Sequence, residues 1–274
     1  MKKIIVILIA FTGFIGCKSS VPTKSLPVNQ SAKAELQNID VNGKLYAAVY
    51  QQRAAEYKAL CIQSFNIAKF RLDEQSQSQS VKPMAIISDI DETFLDNSPY
   101  AVEMAKRGQT YDQATWLEWT SKAMAEPLAG SLEFFKYAAS KGVVIFYITN
   151  RSVKDKPGTV ANLKKYDFPF ADDQHVIVRE IVSSKEPRRQ EVAKRFNIVL
   201  LLGDNLSDFS DLFDKKTEAE RGQNVIGNAA QFGKRFIILP NTGYGDWESA
   251  IFDYDFKKTE VQKDSIYLSK VKGF

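Results

Sequence analysis

The sequence predicts an α/β protein with a Rossmann-like, mostly parallel sheet, helices on both faces and a small helical cap. Three observations predict it. Short apolar runs alternate with segments of helical periodicity. The apolar runs lead into polar or acidic residues. One aromatic-rich segment, from about Asn97 to Pro127, breaks the alternation. A chain of 274 residues, 44% hydrophobic and 26% charged, suits one core domain with an insert. The expected organisation is a core over 35–96 and 128–274 with a cap over 97–127.

Two segments precede the core. Met1-Lys2-Lys3 is a positive start, Ile4–Ile15 is apolar, and Gly16-Cys17 closes the run. This order marks residues 1–16 as a secretory signal. The apolar run is too short to cross a bilayer as a helix. Cys17 resembles the lipidated cysteine of bacterial lipoproteins, with Phe14 standing where Leu is usual. The resemblance implies diacylglycerol, and palmitate, on Cys17. Lys18 favours the outer membrane of a bacterial envelope over inner-membrane retention. Ser19–Ala34, rich in Ser, Pro, Lys and Asn, completes a flexible tether over 17–34.

Leu45–Arg71 is expected to be one long helix, with Leu45, Val49, Tyr57, Leu60, Ile67 and Phe70 at roughly helical spacing. Cys61 within it reads as a small buried apolar residue, left without a disulfide partner once Cys17 is lipidated. Gln75–Ser80 reads as a loop. Met84–Ser88 reads as a buried strand, followed by Val143–Ile148, His175–Val178, Ile198–Leu202 and Phe236–Leu239. Leu128–Lys141, Pro157–Tyr166 and Pro187–Phe196 read as the helices between them. Lys257–Phe274 reads as a solvated surface.

In such sheets ligands bind at the carboxyl ends of the strands. Those ends carry Asp89-Ile-Asp91, Thr149-Asn150-Arg151 and Gly203-Asp204, with Lys185 following the third apolar run. One crevice would collect carboxylates, a hydroxyl and an ammonium. Asp89 and Asp204 could supply carboxylates to a Mg²⁺ ion, and the Asp91 carbonyl a third oxygen. Asp208, one helical turn after Asp204, could face the same site. A carboxylate nucleophile at Asp89 needs a second group to protonate the leaving alkoxide and later activate water. Asp91, two residues on, lies on the same side of an extended chain. Thr149 and Lys185 can bind phosphoryl oxygens, and Asn150 lies beside them.

At these residues the chain resembles the haloacid-dehalogenase-like superfamily. Asp89-Ile-Asp-Glu-Thr93 is similar to its first motif. Thr149, Lys185 and Gly203-Asp204-x-x-x-Asp208 are similar to the later motifs, in order. The stretches Ile87–Tyr100, Leu201–Phe209, Ala55–Leu60 and Tyr244–Glu248 resemble one branch, the class C bacterial acid phosphatases. The resemblance implies a metal-dependent acid phosphatase acting through a phospho-aspartyl intermediate at Asp89. It implies metal ligation by Asp89, Asp91, Asp204 and Asp208. It implies substrate stacking on Tyr244 and a cap aromatic, Trp116 or Trp119. Nucleoside 5′-monophosphates and nicotinamide mononucleotide are the expected substrates.

Other classes fit less well. A net charge of +4 with no basic run suggests no nucleic-acid polymer as partner. The lone histidine, His175, cannot serve a phosphohistidine or multi-histidine dinuclear mechanism, and reads as structural. The rival reading is a non-catalytic surface lipoprotein that binds a ligand such as haem. The sequence permits a homodimer.

Overall fold

The structure is a computed structural model that describes residues 38–75 and 80–274. The expected signal, Cys17 and the expected tether lie outside the described residues. The chain opens with helices α1 (Ile39–Arg53) and α2 (Ala55–Gln75), then strand β1 (Met84–Ser88) and the two-residue β2 (Leu95–Asp96). The cap follows as α3 (Ser98–Lys106) and α4 (Gln113–Ser121), closed by the two-residue β3 (Glu126–Pro127). Next come α5 (Ser131–Ser140), β4 (Val144–Ser152), α6 (Lys156–Lys165), β5 (Val176–Arg179), α7 (Glu186–Arg195) and β6 (Asn197–Gly203). The chain continues through α8 (Glu218–Gly227), β7 (Phe236–Ile238), α9 (Asp246–Ile251) and α10 (Glu260–Lys270).

Five strands form one parallel sheet in the order β5-β4-β1-β6-β7. Side chains alternate across it, as a period of two requires. Ile86, Ile145, Tyr147, Leu200 and Leu202 enter one core with Phe65, Leu72, Phe134 and Phe135 of α2 and α5. Ala85, Ile87, Phe146, Ile148 and Leu201 enter the other core with Val192 of α7. Both faces are apolar, so β1, β4 and β6 read as continuous hydrophobic runs rather than alternating ones. Strand β1 is central. The chain builds β4 and β5 on one side of it, then crosses to β6 and β7 on the other. The sheet therefore has its switch point at β1, and the residues just after β1 stand in the crevice.

The five expected strands all form, but three details differ from the sequence reading. Leu45–Arg71 is two helices, not one. Ala54 between them is extended, at φ −79° and ψ 126°, and Tyr50 meets Tyr57 edge-on across the bend at 6.0 Å. No Pro or Gly marks the bend. It lets α2 lie on α5 and the sheet while α1 turns to α3 and α10. The buried stripe of α2 is Tyr57, Cys61, Phe65, Ala68 and Leu72, while Leu45, Val49, Leu60 and Phe70 are exposed. Second, Thr149–Arg151 lie within β4 rather than beyond it.

Third, Lys257–Phe274 is not merely a solvated surface. It contains α10, whose buried Asp264 accepts hydrogen bonds from the amides of Asn38 (2.8 Å) and Ile39 (2.9 Å). Asn38 makes no cap with its own side chain, so Asp264 serves as the missing N-cap of α1. His175 has its Nδ1 2.8 Å from Asp172, between the rings of Phe146 and Phe170, which is a structural setting.

The cap is held at its base by antiparallel pairing of β2 and β3, Leu95 opposite Pro127. Tyr100, Met104 and Trp116 form its small core, with Tyr100 edge-on to Trp116 at 4.9 Å. It also leans on α6. A Cβ on Gly158 would lie 2.3 Å from the carbonyl oxygen of Thr120, so only glycine lets α6 come this close to α4.

Candidate active site

The sheet positions the first carboxylate directly. Asp89 follows β1, and its amide donates to the Leu202 carbonyl of β6 at 2.9 Å. The chain then reverses. The amides of Phe94 and Leu95 both donate to the Ile90 carbonyl at 3.1 Å, and Glu92 takes φ 55°. This turn returns Thr93 to the crevice, where its hydroxyl donates to Asp204 Oδ1 at 3.0 Å.

Asp89, Asp204 and Asp208 each offer an oxygen, and these lie within 4.8 Å of one another. Gly203 makes the approach feasible, since a Cβ there would stand 2.3 Å from Cβ of Asp208. Asp208 accepts from the amide of Asn205 at 3.0 Å and from the Lys185 ammonium at 2.6 Å. Lys185 also donates to Asp89. Asn241 donates to Asp204 Oδ2 at 2.7 Å.

Charge within this cluster is unbalanced. Burial is the largest cause lifting Asp89 to about 7. Lys185 opposes the rise, and Asp208 and Asp91 add to it. Burial, then the charges of Asp208 and Asp89, also push Asp204 well above the usual carboxylate range. One ammonium cannot neutralise three clustered carboxylates, two of them buried and Asp204 half-buried. An all-oxygen donor set with excess negative charge fits a hard divalent cation.

Asp91 faces the other way. Its carboxylate is outside the three-carboxylate cluster. Oδ1 accepts from Arg151 at 3.0 Å (Nε) and 2.7 Å (Nη2), and from Asn97 at 2.8 Å. Thr149 reaches Oδ2 at 3.5 Å. Arg151 is buried, donates to Thr159 at 3.0 Å, and lies over the Trp116 ring at 5.7 Å. The guanidinium fork fixes the carboxylate in one orientation. Thr149 is fully buried, and its carbonyl accepts from Arg188 at 2.6 Å. Arg188 also donates to Asn150 Oδ1 at 2.7 Å and to the Ser183 and Ser184 carbonyls at 3.2 Å. It thereby ties the end of β4 to the loop that carries Lys185.

A cavity of about 610 Å³ joins these groups. Asp89, Asp91, Asn150, Lys185, Asp204, Asp208, Tyr244 and Trp116 all line it. Tyr244 keeps 39% of its surface exposed while its hydroxyl donates to buried Glu92. Trp116 is 8% exposed. Trp119, expected as an alternative stacking residue, is not on this wall. Its indole N–H donates to Asn97 Oδ1 at 2.8 Å, so it holds the residue that holds Asp91. Helical spacing of three placed both tryptophans near one face but could not say which reached the crevice.

Sequence reasoning missed Glu92, Thr93, Asn97, Arg151, Arg188 and Asn241 as site residues. Glu92 and Thr93 sit inside the first motif, and Arg151 directly follows Thr149-Asn150, so position was a signal for those three. Nothing in the sequence marks Arg188 or Asn241.

A model of the HAD superfamily, subfamily IIIB (acid phosphatase), matches residues 14–247. Among solved structures, the class C acid phosphatase from Bacillus anthracis is 42% identical with a TM-score of 0.83, covering 86% of this chain and 99% of that one. A structure of the Bacillus anthracis class C acid phosphatase with tungstate bound is also 42% identical with a TM-score of 0.83, covering 85% and 98%. A stem 31 kDa glycoprotein of Glycine max is 29% identical over 125 residues, 43% of this chain and 49% of its own. Acid phosphatase 1 of Solanum lycopersicum is 28% identical over 131 residues, 44% of this chain and 50% of its own. The chain spans about half the length of these curated relatives.

Proposed function

The chain belongs to subfamily IIIB of the HAD superfamily, the acid phosphatases, and from that premise we propose that it hydrolyses phosphate monoesters with Asp89 as nucleophile and Asp91 as acid and base. The observation that carries this reading is the gathering of Asp89, Asp204, Asp208 and Lys185 at the switch point of the sheet. Asp89 and Asp204 come from adjacent strand ends, and Lys185 from the loop after β5. Tungstate, held by one similar structure, is a tetrahedral oxyanion like phosphate.

In the proposed reaction an oxygen of Asp89 attacks phosphorus, and the bond to the leaving oxygen breaks. The Asp91 carboxyl gives its proton to the departing alkoxide. The resulting Asp91 carboxylate then takes a proton from water. That water attacks phosphorus and releases both Asp89 and inorganic phosphate. Lys185 and Asn150 on the cavity wall bind the phosphoryl oxygens, while Thr149, expected to join them, is buried behind the wall with its hydroxyl toward Asp91 and the Arg151 amide. Arg151 and Asn97 keep Asp91 aimed. Asp89, Asp204 and Asp208, with the Asp91 carbonyl, would hold a divalent ion. When bound, that ion offsets the repulsion between the carboxylate and the phosphoryl group.

Tyr244 and Trp116 on the cavity wall support nucleoside 5′-monophosphates or nicotinamide mononucleotide as substrates, because flat π-faces suit their rings. The anchor at Cys17 and the bacterial outer membrane remain part of the proposal, supported by the order of residues 1–18.

Phosphate release from an aryl phosphate, nucleoside 5′-monophosphates and nicotinamide mononucleotide, with Mg²⁺ and with chelator, tests the reading. Release should require the metal. Asp89→Asn should lower it by at least ~10³-fold, the scale seen when a covalent nucleophile is removed, while circular dichroism stays unchanged. A variant with the parent rate would show that Asp89 is not the nucleophile.

A further inference from the structure

Five basic side chains line the cavity: Lys44, Arg151, Arg179, Lys185 and Lys263. Four of them meet carboxylates. Lys44 and Lys263 pair with Asp40, the latter at 3.7 Å. Arg151 pairs with Asp91 at 2.7 Å, and Lys185 with Asp208 at 2.6 Å. Among the described residues, no side-chain hydrogen bond or ion pair holds the Arg179 guanidinium. It is the cavity-lining cation whose charge the protein leaves unanswered.

Its place is fixed by the sheet. Arg179 ends β5 and pairs with Ser152 of β4. β5 is two strands from β1, so at a spacing of ~4.8 Å per strand its backbone lies ~10 Å across the carboxyl edge from the strand that carries Asp89. Its field reaches toward the cap. Burial raises the Tyr111 hydroxyl, and Arg179 is the strongest charge opposing that rise. Tyr111, half exposed, shares the wall with Arg179, Trp116 and Asn150. The one cavity therefore holds Lys185 among the carboxylates, the rings of Tyr111 and Trp116, and a guanidinium with no carboxylate partner among the described residues. A guanidinium with open donors matches the two oxygens of a carboxylate or phosphate.

We propose that Arg179 determines specificity by binding a second anionic group, at the end of the phosphomonoester remote from the phosphate that is cleaved. The inference rests on the phosphomonoesterase reading and adds a substrate class to it: small molecules with an organic core between two anions. Arg179 touches the substrate without touching the reacting atoms, so its removal should act on KM for one class of substrate only.

The experiment compares two matched pairs: phenyl phosphate with 4-carboxyphenyl phosphate, and adenosine 5′-monophosphate with adenosine 3′,5′-bisphosphate. Loss of the phosphate that phenyl phosphate and adenosine 5′-monophosphate share with their partners is followed by product chromatography. In the wild-type holoenzyme the doubly anionic member of at least one pair should have the lower KM. Arg179→Gln should raise that KM by about tenfold, the scale of a charge-assisted hydrogen bond, and leave the singly anionic member within about twofold. Arg179→Lys should recover part of the loss. Response of the carboxyphenyl pair identifies a carboxylate, and response of the adenosine pair a phosphate. Equal change in both members of each pair, or change in neither, overturns the assignment of Arg179. If the wild-type protein releases phosphate from none of the four, the phosphomonoesterase reading itself fails, and the inference with it.

Discussion

Glu92 is where the cap base and the Tyr244 loop meet. Its carboxyl accepts from the Asn97 amide at 2.9 Å on one side and from the Tyr244 hydroxyl on the other. Burial, followed by the charge of Asp91, pushes it up to about 8. In an unfolded chain a glutamate ionises near ~4.3. The folded protein therefore holds one more proton than the unfolded chain between those values. Stability from this group is complete below pH ~4.3 and is lost as pH rises through about 8. Glu92→Gln stays neutral at every pH and can still accept from Asn97. Its urea midpoint, measured on metal-free protein, should fall less between pH 5 and pH 8 than that of the parent. An unchanged fall would mean that another group titrates there. At this scale the sequence pointed to Asp89, Asp204 and Asp208, whose oxygens the structure brings within 4.8 Å, and to Asp91, whose carboxylate stands outside that cluster. It could not yield Arg151 as the partner of Asp91 or Arg188 as the partner of Thr149 and Asn150. Those pairings span 60, 39 and 38 positions and exist only once β4, β1 and α7 are assembled.

Elements show a similar division. Strand runs were legible because both faces of the sheet are apolar, so β1, β4 and β6 stand out as hydrophobic blocks. The bend at Ala54 was not, because no residue there forbids a helix. It forms because α1 and α2 each gain a better partner by diverging, with α1 on α3 and α2 on α5. Close approach between elements was also hidden in single residues. At Gly158, α6 meets α4 with no room for a methyl group. Gly158→Ala should cost about 1–3 kcal/mol through overpacking, seen as a lower thermal midpoint. The strain falls on α4, which carries Trp116, so KM for an aromatic phosphomonoester should rise more than kcat falls. A variant as stable as the parent would show that α4 moves aside freely.

Over the whole molecule, one sheet brings distant stretches of chain together twice. At its carboxyl edge it gathers side chains from Asp89 to Tyr244 around one cavity, whose wall also takes Lys44 of α1 and Lys263 of α10. The alternation of strands and helices was enough to foresee that gathering. At the other closure, α10 reaches back to α1 through Asp264, and this was illegible. A charged, mostly exposed terminal stretch gives no pattern from which to infer a buried cap. Asp264→Ala should remove two hydrogen bonds from the start of α1 and lower stability by ~1–2 kcal/mol. Hydrogen exchange at the amides of residues 38 and 39 should quicken more than exchange in β1. The same contact bears on how the protein is made. A ribosome produces the first helix long before the residue that completes it, 225 positions later. Every nascent chain shorter than 264 residues carries α1 with its leading amides open. The start of α1 thus gains its cap only after α10 has been made, so this corner of the domain is the last to close.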